Sequence, residues 1–365
     1  MTVADTVLIN GKVATVDRHF RFTRAIAVKN GWIINVGEDE EIKTHIGPDT
    51  QIIDLQGKLI LPAAHDAHVH ISWLAASWKC INCSTARTLE ALLALLRERA
   101  ATTPPGQWIH ACGFNPAIID SSRPLTRHDI DSATPNHPAF LAFWDGHSCL
   151  VNSNALEIVG ITRETQDPIG GFINAIQTCP GPQRRHYVLH GSMGDREDFV
   201  KAAKYGIILS EQPSPSGSAY DYERRAQVCG IKGEIGKGLK DIIDLGVTVA
   251  GGSDGIMDLV NWRQMVQAAV TRKSASSGKI IRPELAISVA DGVRMYTINA
   301  AYQEFQEQVR GSIEVGKVAD FQVLDRDIFS VPHEDIGNSQ VLLTMVDGNI
   351  VWQCQEQVLQ IRKGG

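Results

Sequence analysis

Leu59-Ile60-Leu61-Pro62-Ala63-Ala64-His65-Asp66-Ala67-His68-Val69-His70 opens as an apolar run and closes on three histidines and an aspartate. The run has the length and composition of a buried strand. On a strand, residues i and i+2 point to the same side. His68 and His70 then share one face, and two imidazoles at that spacing can chelate a single divalent ion. Asp66 lies on the same face, where it could orient one of those rings from behind. His65 is expected on the opposite face and outside the ligand set. A pair of satisfied or exposed histidines is the plain alternative for an isolated His-x-His. The position just past an apolar strand favours ligation, because parallel barrels carry their chemistry at that end of their strands.

Two further stretches have the same form. Tyr187-Val188-Leu189-His190-Gly191 is an apolar strand ending in a histidine, and Val247-Thr248-Val249-Ala250-Gly251-Gly252-Ser253-Asp254 is one ending in glycines and an aspartate. Taken singly, His190 reads equally well as a satisfied core or capping residue and Asp254 as a helix cap. Together with His68 and His70 they form a mixed imidazole and carboxylate set of the kind that binds zinc, iron or manganese. Such an ion lowers the pKa of bound water, and a carboxylate beside it can take the proton.

The rest of the chain supplies a frame for those three strand ends. Helical patterns over 195–204 and 238–245 each lead into an apolar strand, the signature of parallel strands joined by crossover helices. An amphipathic helix is expected over 88–100, and a further helical region over 283–300. Both ends of the chain read instead as short strands with tight turns. Asn10-Gly11 and Asn30-Gly31 near the start, and Asp347-Gly348-Asn349 near the end, are hairpin signals. Neither end alone has enough strands for a stable core, which favours one small β-sandwich assembled from both over two unrelated β-subdomains.

Composition narrows the function classes. The chain has 365 residues, 43% hydrophobic and 21% charged, sufficient for two units or one large barrel. A formal net charge of -6 with scattered Lys and Arg offers no basic stripe, so nucleic acid is not an expected partner. No window reaches the roughly 18 apolar residues of a membrane span, and the first residues lack a basic-then-apolar leader pattern. The seven cysteines are odd in number and dispersed, which fits reduced thiols and a cytoplasmic location. Cys80 and Cys83 form a C-x-x-C with no second pair or nearby histidine, leaving a small zinc module as a separate, weaker reading.

In its motifs the chain resembles the amidohydrolase superfamily, and within it the YtcJ-like branch that includes N-substituted formamide deformylases. The resemblance rests on Val7-Leu8-Ile9-Asn10-Gly11-Lys12-Val13, the 61–70 block, Phe143-Trp144-Asp145-Gly146-His147, Val151-Asn152-Ser153-Asn154-Ala155-Leu156 and Asp167-Pro168-Ile169-Gly170-Gly171. It continues through 185–190, Glu211-Gln212-Pro213, Gly252-Ser253-Asp254, 295–301 and 311–320. It implies a (β/α) barrel with a composite β-sandwich, and hydrolysis of a non-peptide, amide-type C–N bond by metal-activated water. By position, His68, His70 and His190 resemble the metal ligands. Asp254 resembles the aspartate that both binds metal and acts as general base. His147 falls in an insert near the substrate, where it reads as a polar substrate contact or as a structural residue.

The resemblance breaks between Asn174 and Ala175. Relatives continue there for on the order of 150 residues, a large part of a barrel of about 250. The absent part should hold barrel strands two to five, a lysine that can be carboxylated to bridge metals, and a further histidine ligand. Leu189 also stands where many relatives have glutamate. The expected architecture is therefore α/β: an incomplete barrel over 62–304 with an insert around 72–173, and a sandwich from 1–61 with 305–365. Four ligands remain for one tetrahedral ion, zinc first. The expected activity is a metal-dependent amidohydrolase acting on a small-molecule amide, with a homodimer as one oligomeric state. The competing expectation is a shortened, catalytically impaired relative with a structural or partner-dependent role.

Overall fold

The computed structural model describes residues 2–71, 78–115, 119–120, 125–143, 149–160, 185–191, 194, 196–213, 238–255, 261–274, 278–357 and 359–364. His147, Cys179, Cys229 and the Asn174/Ala175 junction lie outside the described residues. The chain divides into two compact units, one of Met1–His68, Cys179–Ser253 and Asn261–Gly365, the other of Val69–Thr178 and Asp254–Val260.

In the first unit, two sheets each take strands from both ends of the chain. A five-stranded sheet runs in the order Gln360–Lys363, Gln51–Asp54, Thr6–Ile9, Ala25–Lys29, Trp32–Gly37. A six-stranded sheet runs Asn349–Gln353, Val341–Val346, Phe321–Leu324, Leu59–Pro62, Lys12–Ala14, Phe22–Thr23. One apolar core draws on both: Leu8, Ile26 and Ile53 from the first, and Val13, Ile60, Phe321 and Leu343 from the second. Alternation of side chains along each strand is what lets one face of each sheet reach that core.

Two of the three turn signals close hairpins. Asn30 and Gly31 have φ of 50° and 81° and join antiparallel Ala25–Lys29 and Trp32–Gly37. Asp347 and Gly348, at 50° and 74°, join Val341–Val346 and Asn349–Gln353. Two successive left-handed residues match the twist of the flanking strands. Asn10-Gly11 behaves differently. Thr6–Ile9 pairs with Ala25–Lys29 and Gln51–Asp54, whereas Lys12–Ala14 pairs with Leu59–Pro62 and Phe22–Thr23. Asn10 is left-handed at φ 57° but Gly11 has no positive φ, so the pair carries the chain from one sheet to the other. Glycine is needed there for space, since a Cβ would collide with the Leu55 side chain.

The same unit holds three parallel strands, Tyr187–Leu189, Ile208–Glu211 and Val249–Gly251, in that order. Helices Arg196–Tyr205 and Leu239–Asp244 precede the second and third, as helix-then-strand patterning requires. Among the described residues these strands do not close a barrel. The expected helical region over 283–300 consists of a short turn at Pro283–Leu285 and helices Val289–Met295 and Ile298–Gln303. Ser288 starts the first helix by accepting the Asp291 N–H, and Thr297 leaves helical geometry between the two.

The second unit has a four-stranded sheet in the order Cys149–Val151, Ala139–Phe143, Ile109–Phe114, Ile81–Asn82. Helix Leu89–Thr102 starts at Thr88, whose hydroxyl accepts the Ala91 N–H, and buries Leu92, Leu93 and Leu96. Asn152, buried, accepts from the Ala139 and Ala155 N–H groups and donates to the carbonyl of His137 and the hydroxyl of Thr134. That asparagine is a structural pin for its motif.

Candidate metal centre

The first regular strand of the motif ends at Pro62, so His68 and His70 lie outside any strand. The N–H groups of Ala63, His65 and Ala67 donate to Asp320, Tyr296 and Gly251 at 3.0, 2.7 and 3.0 Å. Alternate residues therefore bond on one side, as in a strand. Their acceptors belong to three different segments, which breaks the ladder while keeping the period of two.

The facing segment, 251–254, has a defined contact at each residue. A Cβ on Gly251 would come within 2.6 Å of the Tyr296 ring, and one on Gly252 within 2.8 Å of the His68 backbone nitrogen. The Tyr296 hydroxyl donates to the Gly252 carbonyl at 3.1 Å. Ser253, buried, donates its N–H to Asp66 Oδ1 at 2.8 Å and its hydroxyl to Asp66 Oδ2. Asp254 Oδ1 then stands 3.1 Å from His70 Nε2. The two glycines are thus required by close approach, not by flexibility.

His68, His70 and Asp254 each offer one ligand atom, and the three atoms lie within 4.8 Å of one another. An ion bonded to imidazole and carboxylate at about 2.0–2.2 Å sets its donors about 3.3–3.5 Å apart in tetrahedral geometry. The His70–Asp254 pair, at 3.1 Å, lies a few tenths of an ångström inside that spacing, and all three side chains are only partly buried, so a small separation of the two groups admits a divalent ion open to a further ligand. His190 is near His68 but outside that group of three: the rings are edge-on with centroids 5.4 Å apart.

His190 and Asp254, each just past a parallel strand, both adopt left-handed backbone, with φ of 56° and 53°. Such geometry costs a non-glycine residue about 1–2 kcal/mol and tends to persist where the surroundings fix it for function. Asp66 departs from its expected role. Its hydrogen bonds go to the N–H of His68 at 3.2 Å and to Ser253, and to no imidazole. His65 takes no part in the donor group. Burial pushes its ring below the ordinary histidine range, against an upward pull from Glu304. Ser253 and Tyr296 were not legible as supports. The one signal was the Gly251-Gly252 pair, which announces that something packs close. Among the described residues no third ligand joins Cys80 and Cys83, and no helix is long and apolar enough to cross a membrane.

The sequence profile of the Amidohydrolase family matches residues 51–177 and 180–352, and the chain belongs to that family. Among its relatives, N-substituted formamide deformylase of Arthrobacter pascens is 36% identical over 171 residues, 46% of this chain and 32% of that protein. The YtcJ amidohydrolase of Bacillus subtilis is 32% identical over 152 residues, 41% of this chain and 29% of that protein. The expected YtcJ-like relationship is borne out. The chain spans about a third of the length of these two relatives. In fold it is similar to an uncharacterized metal-dependent hydrolase from Pyrococcus horikoshii, with a TM-score of 0.66 at 15% identity, covering 90% of this chain and 99% of that one. An adenosine deaminase from Xanthomonas campestris with bound zinc gives 0.53 at 13% identity, covering 96% and 93%.

Proposed function

We propose that the chain is a metal-dependent hydrolase that cleaves a non-peptide, amide-type C–N bond in a small molecule. The observation that carries this reading is the approach of Asp254 to His70 at 3.1 Å, with a His68 nitrogen in the same group. His68, His70 and Asp254 hold one divalent ion, zinc first, with iron or manganese as alternatives, and His190 closes the set from beside His68. When bound, the ion supplies a water of lowered pKa and polarises the substrate carbonyl. Asp254 would accept a proton from the attacking water and pass it to the leaving nitrogen. His147 is assigned to a polar substrate contact. The domain limits are 1–61 with 305–365 for a composite β-sandwich and 62–304 for an incomplete barrel. The protein acts in the cytoplasm, and as a homodimer.

The matched deformylase gives the substrate class to try first. Purified protein loaded with zinc should hydrolyse an N-substituted formamide and release formate. Less than about half an equivalent of bound zinc, together with no amidase activity, would overturn the proposal.

One observation favours a second reading, a shortened relative without catalysis. The family match falls in two stretches parted at 177 and 180, and the chain spans about a third of the matched deformylase. Size-exclusion and thermal melting decide it. A sharp cooperative melt with bound zinc supports the enzyme, and a broad melt without zinc supports the remnant.

A further inference from the structure

We infer that Asp66 is a positioning residue, a clamp on Ser253 that sets the spacing of the metal donors. The inference rests on the metal-centre reading above. Asp66 makes three hydrogen bonds: to the N–H of His68, to the N–H of Ser253 and to the hydroxyl of Ser253. No imidazole and no cation shares its carboxylate among the described residues. Both oxygens are spent on tying segment 66–68 to segment 251–253.

The placement of the clamp gives it leverage. Ser253 is covalently next to Asp254, and Asp66 is two residues from His68 and four from His70. Gly252 lets the segments meet, since a Cβ there would press on three backbone or Cβ atoms of His68 within 2.9 Å. One backbone bond, from the Ala67 N–H to the Gly251 carbonyl at 3.0 Å, also joins the segments, and the clamp adds the attachment nearest Asp254. The two hydrogen bonds to Ser253, from N–H and hydroxyl to separate oxygens, fix both distance and register. Ser253 is 2% exposed, so water cannot easily replace its hydroxyl bond. Groups that orient ligands in this way typically change metal affinity by about 10–100-fold when removed.

The test compares the full chain with Asp66→Asn, Ser253→Ala and the double variant. Zinc affinity is read by chelator competition, and the unfolding midpoint of the metal-free protein is measured alongside. Each single variant should lose about 10–100-fold in zinc affinity, and the double variant should lose no more than the worse single one, because both remove the same clamp. A midpoint that falls while zinc affinity stays at the parent value would overturn the inference and leave a purely structural bond. Losses that multiply in the double variant would overturn it too, since independent effects are not a clamp. If Asp66→Asn fails to fold, Ser253→Ala alone still gives the decisive comparison. A parent protein that binds no zinc sinks the metal-centre reading and the inference together, whereas a zinc-binding parent with unaffected variants sinks the inference alone.

Discussion

Gly252 lies flush against His68, so close that a methyl group added to it would meet the His68 nitrogen, Cβ and oxygen at 2.8–2.9 Å. Two of those three atoms are backbone, which cannot swing aside. Gly252→Ala should therefore destabilise the protein by about 1–3 kcal/mol, the usual range for overpacking, and should weaken zinc binding by displacing one donor segment from the other. Gly160→Ala is the contrast. It too lacks a Cβ, but nothing lies within 4 Å and only its φ of 68° opposes the change. It should cost about 1–2 kcal/mol of backbone strain and leave zinc binding at the parent level. Thermal melts with zinc titration distinguish the two.

Much of this arrangement was legible in the sequence, and the failures have identifiable causes. The strand before Asp254 is read correctly because a buried strand leaves a contiguous apolar signal, and the one before His190 is apolar too although Tyr187, Val188 and Leu189 are exposed. The helix over 88–100 appears as Leu89–Thr102 because its cap and apolar stripe are local. Asn10-Gly11 was misread, since turn chemistry says that the chain bends but not which strands receive it. Pairing with 25–29 and 51–54 is a non-local outcome. The role of Asp66 was also misread. Period two placed it beside His68 but could not show that Ser253, 187 residues away, would claim both oxygens.

Asp254 has a left-handed backbone at φ 53°. Asparagine tolerates that conformation nearly as well as aspartate, while β-branched residues do not. Asp254→Asn should keep the melting midpoint close to the parent, yet lower hydrolysis by about 10²–10⁴-fold, the typical contribution of a general base. Asp254→Val should lose activity and also about 1–2 kcal/mol of stability. Paired melts and rate measurements check both. A valine variant as stable as the asparagine one would argue that the backbone there relaxes freely.

Arg185 anchors the strand that leads to His190. Its guanidinium bonds Glu307 through two nitrogens at 2.8 and 2.7 Å and lies over the Tyr302 and Phe305 rings at 4.0 and 4.2 Å. The hydrogen bonds from Arg185 hold the Glu307 carboxyl below its usual range. A depressed folded value means that the stabilisation is complete above the unfolded pKa, about 4.3, and is lost as pH falls through the folded value. Glu307→Gln should cost about 1.5–3 kcal/mol at neutral pH, and its stability should fall less steeply than that of the parent below about pH 4–5. Denaturant unfolding from pH 3 to 7 gives both slopes. Parallel curves would show that the pair contributes nothing to acid unfolding.

Cys80 and Cys83 should stay outside metal binding. Burial, reinforced by the neighbouring Cys80, pushes the Cys83 thiol up to about 12, and Cys83 is 1% exposed. A thiol must ionise to bind zinc or to react with an alkylating agent. At pH 8 the native protein should therefore be alkylated by iodoacetamide at exposed Cys149 well before Cys83. Cys83 should become reactive only on unfolding. The double variant Cys80→Ala with Cys83→Ala should bind as much zinc as the parent, because the proposed donors are His68, His70 and Asp254 instead. The same variant separates packing from ligation. Truncating a buried cysteine opens a small cavity in the core that includes Ile81, Leu92 and Ala111, which should lower the melting midpoint by removing about 1 kcal/mol or more. A drop in midpoint with unchanged zinc assigns the pair to packing, and a drop in bound zinc would reinstate the C-x-x-C as a metal site.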